Sequence, residues 1–278
     1  MSTKIRPAAV AGTFYPADRS ELESLLGSCF ETDSVPKSRG KIFALVSPHA
    51  GIIYSGKVAG EGYRLLKNLN INNVIILAPS HYEYFEGGTV YDGSAYSTPL
   101  GDITINSELS SELVAATEQL NYSSVGHGRE HSLEVQLPFL QTVLNNDFEI
   151  VPIVIGDIDM AKASDIASAL SDSVNSLDSD VLIIASTDLS HFHKQDEANL
   201  LDKRTAGFIE NLSISELYTA CKSGECEACG VNPLLIVMEA AKLQGALDVE
   251  ILKYATSGDV IGDYSSVVGY LSAVITGR

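Results

Sequence analysis

Apolar runs without polar alternation recur along the chain, and three of them stop abruptly at a cluster of polar side chains. Residues 42–46 lead into Ser47, Pro48 and His49, and residues 74–78 lead into Pro79, Ser80 and His81. Residues 181–185 lead into Ser186, Thr187, Asp188, Leu189, Ser190 and His191. A strand with one face in water alternates apolar and polar residues, whereas a strand covered on both faces reads as continuous Val, Ile and Leu. The three runs therefore predict buried parallel strands of an open α/β sheet, whose ligands gather at the carboxyl ends of the strands. That arrangement would bring three histidines to one edge. Residues 148–155 form a further apolar strand.

Helical spacing fills the intervals. Asp18 or Ser20 can cap a helix over 21–30, with Leu22, Leu25 and Leu26 on one face. Residues 31–40 form a polar linker with Pro36 and Gly40, and a helix spans about 57–69 after the tight stretch Ala50-Gly51. Residues 89–105 suggest short strands or a hairpin, followed by helices over 107–120, 130–144 and 161–174. Pro138 should bend or delay the second of these. Residues 196–221 read as helical, in one or two pieces, and Asn232 with Pro233 marks the start of another helix. Two last strands, 249–254 and 265–275, suggest a closing antiparallel edge. No repeat or composition break divides the chain, so the expectation is an α/β protein with a single domain over residues 1–278 and a mostly parallel central sheet flanked by helices.

At 278 residues, 45% hydrophobic and 19% charged, the chain can bury a large core without disulfide staples. Thirty-six acidic against eighteen basic residues leave a net charge of −18, which opposes capture by nucleic acid or an anionic membrane. A small molecule or a peptide is the expected partner. The amino-terminal residues lack the apolar stretch of a signal peptide, no run reaches the roughly 20 residues of a membrane helix, and a cytoplasmic location follows. Four cysteines, three of them clustered, do not resemble a secreted disulfide framework.

The polar clusters carry the candidate chemistry. His49 and His81 each follow a buried run by way of a proline or serine, and two neutral imidazoles emerging at one sheet edge suit Fe, Cu, Zn or Co. Asp188 and His191 stand three apart, so the carboxylate can orient the imidazole or the two can act as acid and base, although a helix cap and a packed ring would use the same residues. His131 and Glu134 share a helix face, which needs no special task, and His127 and His193 read as surface residues. Cys229 precedes Gly230 at a helix start, where backbone N–H groups lower a thiol pKa. Cys221, Cys226 and Cys229 also form Cys-x4-Cys-x2-Cys, a zinc or iron–sulfur pattern lacking its fourth ligand, and a Cys226–Cys229 disulfide would compete with metal ligation.

Taken in order, these segments carry a resemblance. Arg6-Pro7 through Phe14-Tyr15-Pro16, Ser47-Pro48-His49-Ala50-Gly51 with Tyr54-Ser55-Gly56, Pro79-Ser80-His81, Glu130-His131-Ser132-Leu133-Glu134, Ser186 to His191 and Cys229-Gly230 together resemble the Memo family, known in microbes as AmmeMemoRadiSam system protein B. The resemblance implies a class III extradiol dioxygenase-like fold and a non-haem metal pocket. Its ligands would be His49, His81 and Cys229, with Asp188 and His191 alongside as catalytic groups and Phe14 and Tyr54 near the substrate. Iron(II) is the first expectation for the metal, copper or zinc the alternatives. The dioxygenase relatives use two histidines and a glutamate, and cysteine in its place makes a softer, more oxidisable site. The implied activity is a metal-dependent redox enzyme acting on O2 or a small molecule; the alternative is a peptide- or ligand-binding protein without turnover. The family's microbial name further implies a link to a radical-SAM protein and an AMMECR1-like protein.

Overall fold

In the computed structural model, which describes residues 4–31, 40–144, 148–177, 180–245 and 248–277, every apolar run above is a strand. In chain order the strands are β1 (Ile5–Arg6), β2 (Lys41–Ser47), β3 (Asn73–Pro79), β4 (Gly88–Val90), β5 (Ala95–Thr98), β6 (Gly101–Thr104), β7 (Leu120–Tyr122), β8 (Glu149–Ile155), β9 (Val181–Ser186), β10 (His191–His193), β11 (Asp248–Thr256) and β12 (Val267–Gly277). The helices are α1 (Arg19–Cys29), α2 (Ile52–Tyr63), α3 (Ser107–Ala116), α4 (Gln136–Val143), α5 (Met160–Ser176), α6 (Gln195–Glu210), α7 (Ile214–Ser223), α8 (Val231–Leu243) and the single turn α9 (Gly258–Ile261).

The main sheet runs β10-β12-β2-β9-β3-β8-β4-β7, with β11 also paired to β12. Its centre, β2-β9-β3-β8, is parallel. The additions on either side are antiparallel to that centre, β12 against β2 and β4 against β8. The β5–β6 hairpin forms a separate small sheet with β1. Apolar residues of the central strands alternate between two cores. Ile75, Leu77, Ile183 and Ala185 pack with residues of α5 and α8, while Ile76, Ala78, Leu182 and Ile184 pack with residues of α1, α2 and α4. All seven residues of β3 are buried. At about 1.5–3 kcal/mol for each large aliphatic side chain, this two-sided burial is the main force ordering the sheet.

Several elements depart from the sequence expectations, each for a local reason. Asp18 is the cap of α1 as expected, its Oδ1 accepting from the Glu21 N–H at 3.0 Å, and the helix opens at Arg19 and not at residue 21. Helix α2 starts at Ile52, five residues earlier than expected, because the Ile52 N–H finds the Phe14 carbonyl at 2.8 Å. Residues 130–135 are turns and not helix, because the Glu130 side chain takes the N–H groups of His131 and Ser132; α4 then opens at Gln136 with Pro138 in its first turn, where a missing N–H costs nothing. Gly230, not Asn232, is the N-cap of α8, and the Asn232 amide instead donates to the Gly156 carbonyl. The expected closing antiparallel pair is present: β11 lies at the border against β12, which pairs on its other side with β2. Most of the polar linker, residues 32–39, falls outside the described residues.

A buried ion pair ties the amino-terminal segment to this frame. The Arg6 guanidinium meets the Glu134 carboxylate with both side chains inaccessible, and its remaining N–H groups donate to the carbonyls of His127 (2.5 Å) and Glu130 (2.6 Å). Glu134 also accepts from the N–H groups of Ala9 and Val10 and from the Tyr15 hydroxyl. The helix-face role expected of Glu134 is thus replaced by an anchor for residues 6–15. His127 is likewise not a surface residue. It is buried, its Nε2–H donates to the Thr89 carbonyl at 3.1 Å, and its Nδ1 therefore accepts from the Tyr96 hydroxyl at 2.5 Å.

Two stability measurements follow. Glu134→Ala leaves the Arg6 charge unpaired in the core, and we expect urea unfolding to show a loss of about 3–5 kcal/mol, whereas a loss below about 1 kcal/mol would deny the anchor. Burial holds the His127 pKa down at about 3 against an ordinary 6.5. The unfolded chain takes up that proton first, so the stability His127 contributes is complete above pH 6.5 and drains as the pH falls toward 3, by up to about 1.4 kcal/mol per pH unit. His127→Leu should therefore show a shallower acid limb in a series of unfolding curves; an unchanged slope would refute the assignment.

Candidate metal centre

The parallel register sets the site. Strand β9 lies between β2 and β3, with Ser47 opposite Ser186 and Leu77 opposite Ala185. The three chains therefore leave the sheet side by side and deliver His49, His81 and Asp188 to one place. The turn between Glu130 and α4 adds a fourth group, His131. Ligand atoms of His49, His81 and His131 all lie within 4.8 Å of one another, and the ring centroids stand 5.2 Å (49–81), 5.3 Å (49–131) and 4.6 Å (81–131) apart.

Each of the two expected histidines is held by one nitrogen. The Ser186 hydroxyl gives its only proton to the Ser132 carbonyl at 2.6 Å and accepts from Gln136 Nε2 at 2.8 Å. Gln136 is itself oriented, with its Nε2 on the Pro48 carbonyl (3.0 Å) and its Oε1 on the Tyr63 hydroxyl (2.6 Å). Ser186 can therefore only accept from His49 Nδ1 at 2.9 Å, which places the proton on Nδ1 and the lone pair on Nε2. His81 repeats the logic with a carboxylate: its Nδ1–H donates to Glu130 Oε1 at 2.8 Å and its backbone N–H to Oε2 at 2.6 Å. With Nδ1 of each ring held by a hydrogen bond, Nε2 is the atom left to meet a metal, the arrangement that oriented metal ligands require.

Charge in the pocket is set by burial and by these bonds. Burial, then the neighbouring His81, pushes the His49 pKa well below its ordinary value. His131 is lowered to about 4, first by burial and then by His49. Burial alone would raise the Glu130 carboxyl, but the hydrogen bonds from His81 and the backbone outweigh it and hold the pKa at about 2. The Asp188 carboxyl is pushed up by burial, against which the N–H groups of His49 (2.8 Å) and Ala50 (3.3 Å) act from its Oδ1. The centre therefore holds neutral imidazoles beside one firmly ionised carboxylate.

Cys229 stands next to His49 and outside the three-histidine group. Its Sγ is 3.2 Å from His49 Nε2 and accepts the Asp188 N–H at 3.2 Å. A nitrogen and a sulfur bonded to one metal at about 2.1 and 2.3 Å would be roughly 3.1 Å apart at right angles and 3.6 Å in a tetrahedron, so the observed separation suits neighbouring ligands. The expected lowering of this thiol by the helix start is absent. Burial and then the Asp188 carboxylate push the Cys229 pKa up, and without a cation the group is a thiol. Gly230 lets α8 begin this close, since a Cβ there would fall 2.3 Å from the Ser186 carbonyl oxygen.

The pairing of Asp188 with His191 is not a direct bond. The His191 Nδ1–H donates to the Leu189 carbonyl at 2.8 Å and its backbone N–H goes to Glu227, while Asp188 is occupied by residues 49 and 50. Phe14 lies against the cluster, its ring 4.4 Å from that of His131, and Tyr54 stands partly exposed on the first turn of α2. His193 is partly exposed and pairs with Glu227 at 2.8 Å, close to its expected surface role. His131 is the residue that sequence reasoning set aside. Its Nδ1 is buried and makes no well-formed hydrogen bond, standing 3.3 Å from the Glu130 carboxylate. The signal that could have found it is the Glu130-His131-Ser132 run, too rich in polar groups for a buried helix.

A cavity of about 410 Å³ adjoins the centre, with His191, Tyr218, Cys221, Cys226, Cys229 and Asn232 among its walls. No helix among the described residues is long and apolar enough to cross a membrane.

The family model described as Memo-like protein matches residues 6–274. A MEMO1 family protein of Thermoplasma volcanium is 39% identical over 270 residues, covering 97% of this chain and 98% of its own. One from Aquifex aeolicus is 38% identical over 272 residues (98% and 99%), and one from Nitrosopumilus maritimus 35% over 270 (96% and 98%). Among solved structures, an uncharacterized protein of Escherichia coli K12 superimposes with a TM-score of 0.56 at 13% identity, covering 84% of this chain and all of that one, a likeness of fold.

Proposed function

Because the chain belongs to the Memo-like family, we propose that it is a non-haem metal-dependent redox enzyme acting on O2 or a small-molecule substrate at the carboxyl ends of β2, β9 and β3. The observation that carries this reading is the convergence of His49, His81 and His131 with the His131 Nδ1 buried and without a well-formed hydrogen bond. The donor set fits a borderline divalent metal, iron(II) first and copper or zinc next. We assign His49 and His81 as ligands through Nε2 and Cys229 as a third, with His131 competing for that position or adding a fourth bond. A metal bound there supplies Lewis acidity and, for iron or copper, a redox-active centre.

The remaining work falls to this chain's own groups. His191 keeps its Nδ1 proton on the Leu189 carbonyl, so its Nε2 is the atom that takes or gives a proton, and its ring forms part of the cavity wall. Asp188 holds the His49 and Ala50 N–H groups with its carboxylate and accepts the Cys229 N–H at its backbone carbonyl, tying the ends of β2 and the loop before α8 together. The Phe14 ring packs against that of His131 at 4.4 Å, and Tyr54 stands where it can line the approach. A cavity of about 410 Å³ suits a small molecule and is too small for a folded partner.

Anaerobic reconstitution with Fe(II), Cu(I) or Zn(II), followed by elemental analysis, should give about one metal per chain, as one closed donor set implies. His49→Ala and His81→Ala should abolish retention, and Glu130→Gln should weaken it about 10–100-fold by freeing the His81 ring. Comparing Cys229→Ser with His131→Ala identifies the third ligand. Oxygen consumption by the iron or copper form should disappear in His191→Gln while metal content stays unchanged. A wild-type chain that retains no metal under any of these conditions would overturn the reading.

A further inference from the structure

Two of the four cysteines have no place in the metal centre, yet they stand beside it. Helix α7 ends on Gly224 in the left-handed region (φ 76°), and the Glu225 N–H returns to the Ala220 carbonyl at 2.9 Å. This reversal folds residue 226 back onto the last turn of the helix it has just left. The Cys221 and Cys226 sulfurs consequently lie 2.9 Å apart, closer than two unbonded sulfur atoms ordinarily rest, and both belong to the wall of the 410 Å³ cavity that also holds His191 and Cys229. Cys226 is fully buried and Cys221 half-buried, so the second is the one a reagent in the cavity reaches.

The geometry points to a reversible modification site: we propose that Cys221 and Cys226 form a dithiol that a low-molecular-weight disulfide oxidises to an intramolecular disulfide. Cys221, as thiolate, attacks one sulfur of the reagent, forming a mixed disulfide and releasing one thiolate. Cys226, as thiolate, then attacks the Cys221 sulfur and releases the second. Two protein thiols lose two protons and two electrons, and the reagent leaves as two thiols. Burial and the neighbouring sulfur push the Cys221 pKa up, so the first step is slow at neutral pH and quickens in mild alkali.

The pair differs from the Cys226–Cys229 disulfide that the spacing allows, because the two sulfurs face different partners. Cys229 is engaged by the Asp188 N–H and His49, Cys226 by Cys221. The bond would also bear on the site. Residues 225–230 grip the segment that carries His191: Glu227 accepts the His191 N–H and pairs with His193, and the Cys229 N–H donates to the Asp188 carbonyl. Oxidation would fasten the start of this loop to α7 and stiffen the wall behind Cys229. None of this requires a bound metal.

The test uses the full-length wild-type chain, stripped of metal by a chelator and equilibrated with oxidised glutathione at mildly alkaline pH. Alkylation under denaturing conditions and peptide mapping should show the peptides of Cys221 and Cys226 joined and lighter by two hydrogen atoms, with Cys29 and Cys229 both alkylated. Cys29 is an internal control, its thiol turned into α1 against the Leu25 carbonyl and raised to about 11 by burial. Dithiothreitol should return four alkylatable thiols. Recovery of Cys221 and Cys226 both as free thiols, as separate glutathione adducts, or of Cys226 joined to Cys229 would overturn the proposal.

Discussion

The parallel pairing of β2, β9 and β3 is the constraint from which the rest of the molecule follows. A parallel strand cannot slip by one residue without turning its buried side chains to the opposite face, and here both faces are packed, so a slip would misfit two cores at once. Ser47, Ser186 and the end of β3 therefore reach the same level of the sheet. A histidine two residues beyond each outer strand and an aspartate two beyond the middle one are then brought together, and the Asp188 carboxylate fastens the His49 backbone N–H at 2.8 Å.

Around that edge the protein has built a layer of groups with a single permitted hydrogen-bond pattern. Tyr63, Gln136, Ser186 and Ser132 form one chain of donors and acceptors that leaves His49 no choice of tautomer. Glu130 does the same for His81 and uses its remaining capacity on three backbone N–H groups. Such networks are costly when incomplete and rigid when complete. Here each member is satisfied except the His131 Nδ1, which makes that atom the informative exception.

The amino-terminal segment joins this layer through the Arg6–Glu134 pair, and the loop after α7 through Glu227 and Cys229. The site is consequently closed by two segments distant in sequence, each fastened by a few polar bonds beside the apolar packing of Val10 and Tyr15 in one and Cys226 in the other. Changes to those fastenings can tune the pocket while leaving the sheet intact.

What the sequence by itself determined is the sheet and the identity of most groups at its edge. Continuous apolar runs report two-sided burial, and burial on both faces is a property of each strand alone, so residues 42–46, 74–78 and 181–185 were legible before any fold was known. His49, His81 and Asp188 were legible with them because they follow those strands directly. Only the tertiary structure decided the partners. His131, the burial of His127, the replacement of Asp188 by the Leu189 carbonyl as the group orienting His191, the raised Cys229 thiol and the pairing of Cys221 with Cys226 all depend on side chains that approach across the sheet or around a helix end. A helix-start histidine and a ligand histidine look alike in one dimension. They differ only in what three-dimensional packing leaves their nitrogen atoms to face.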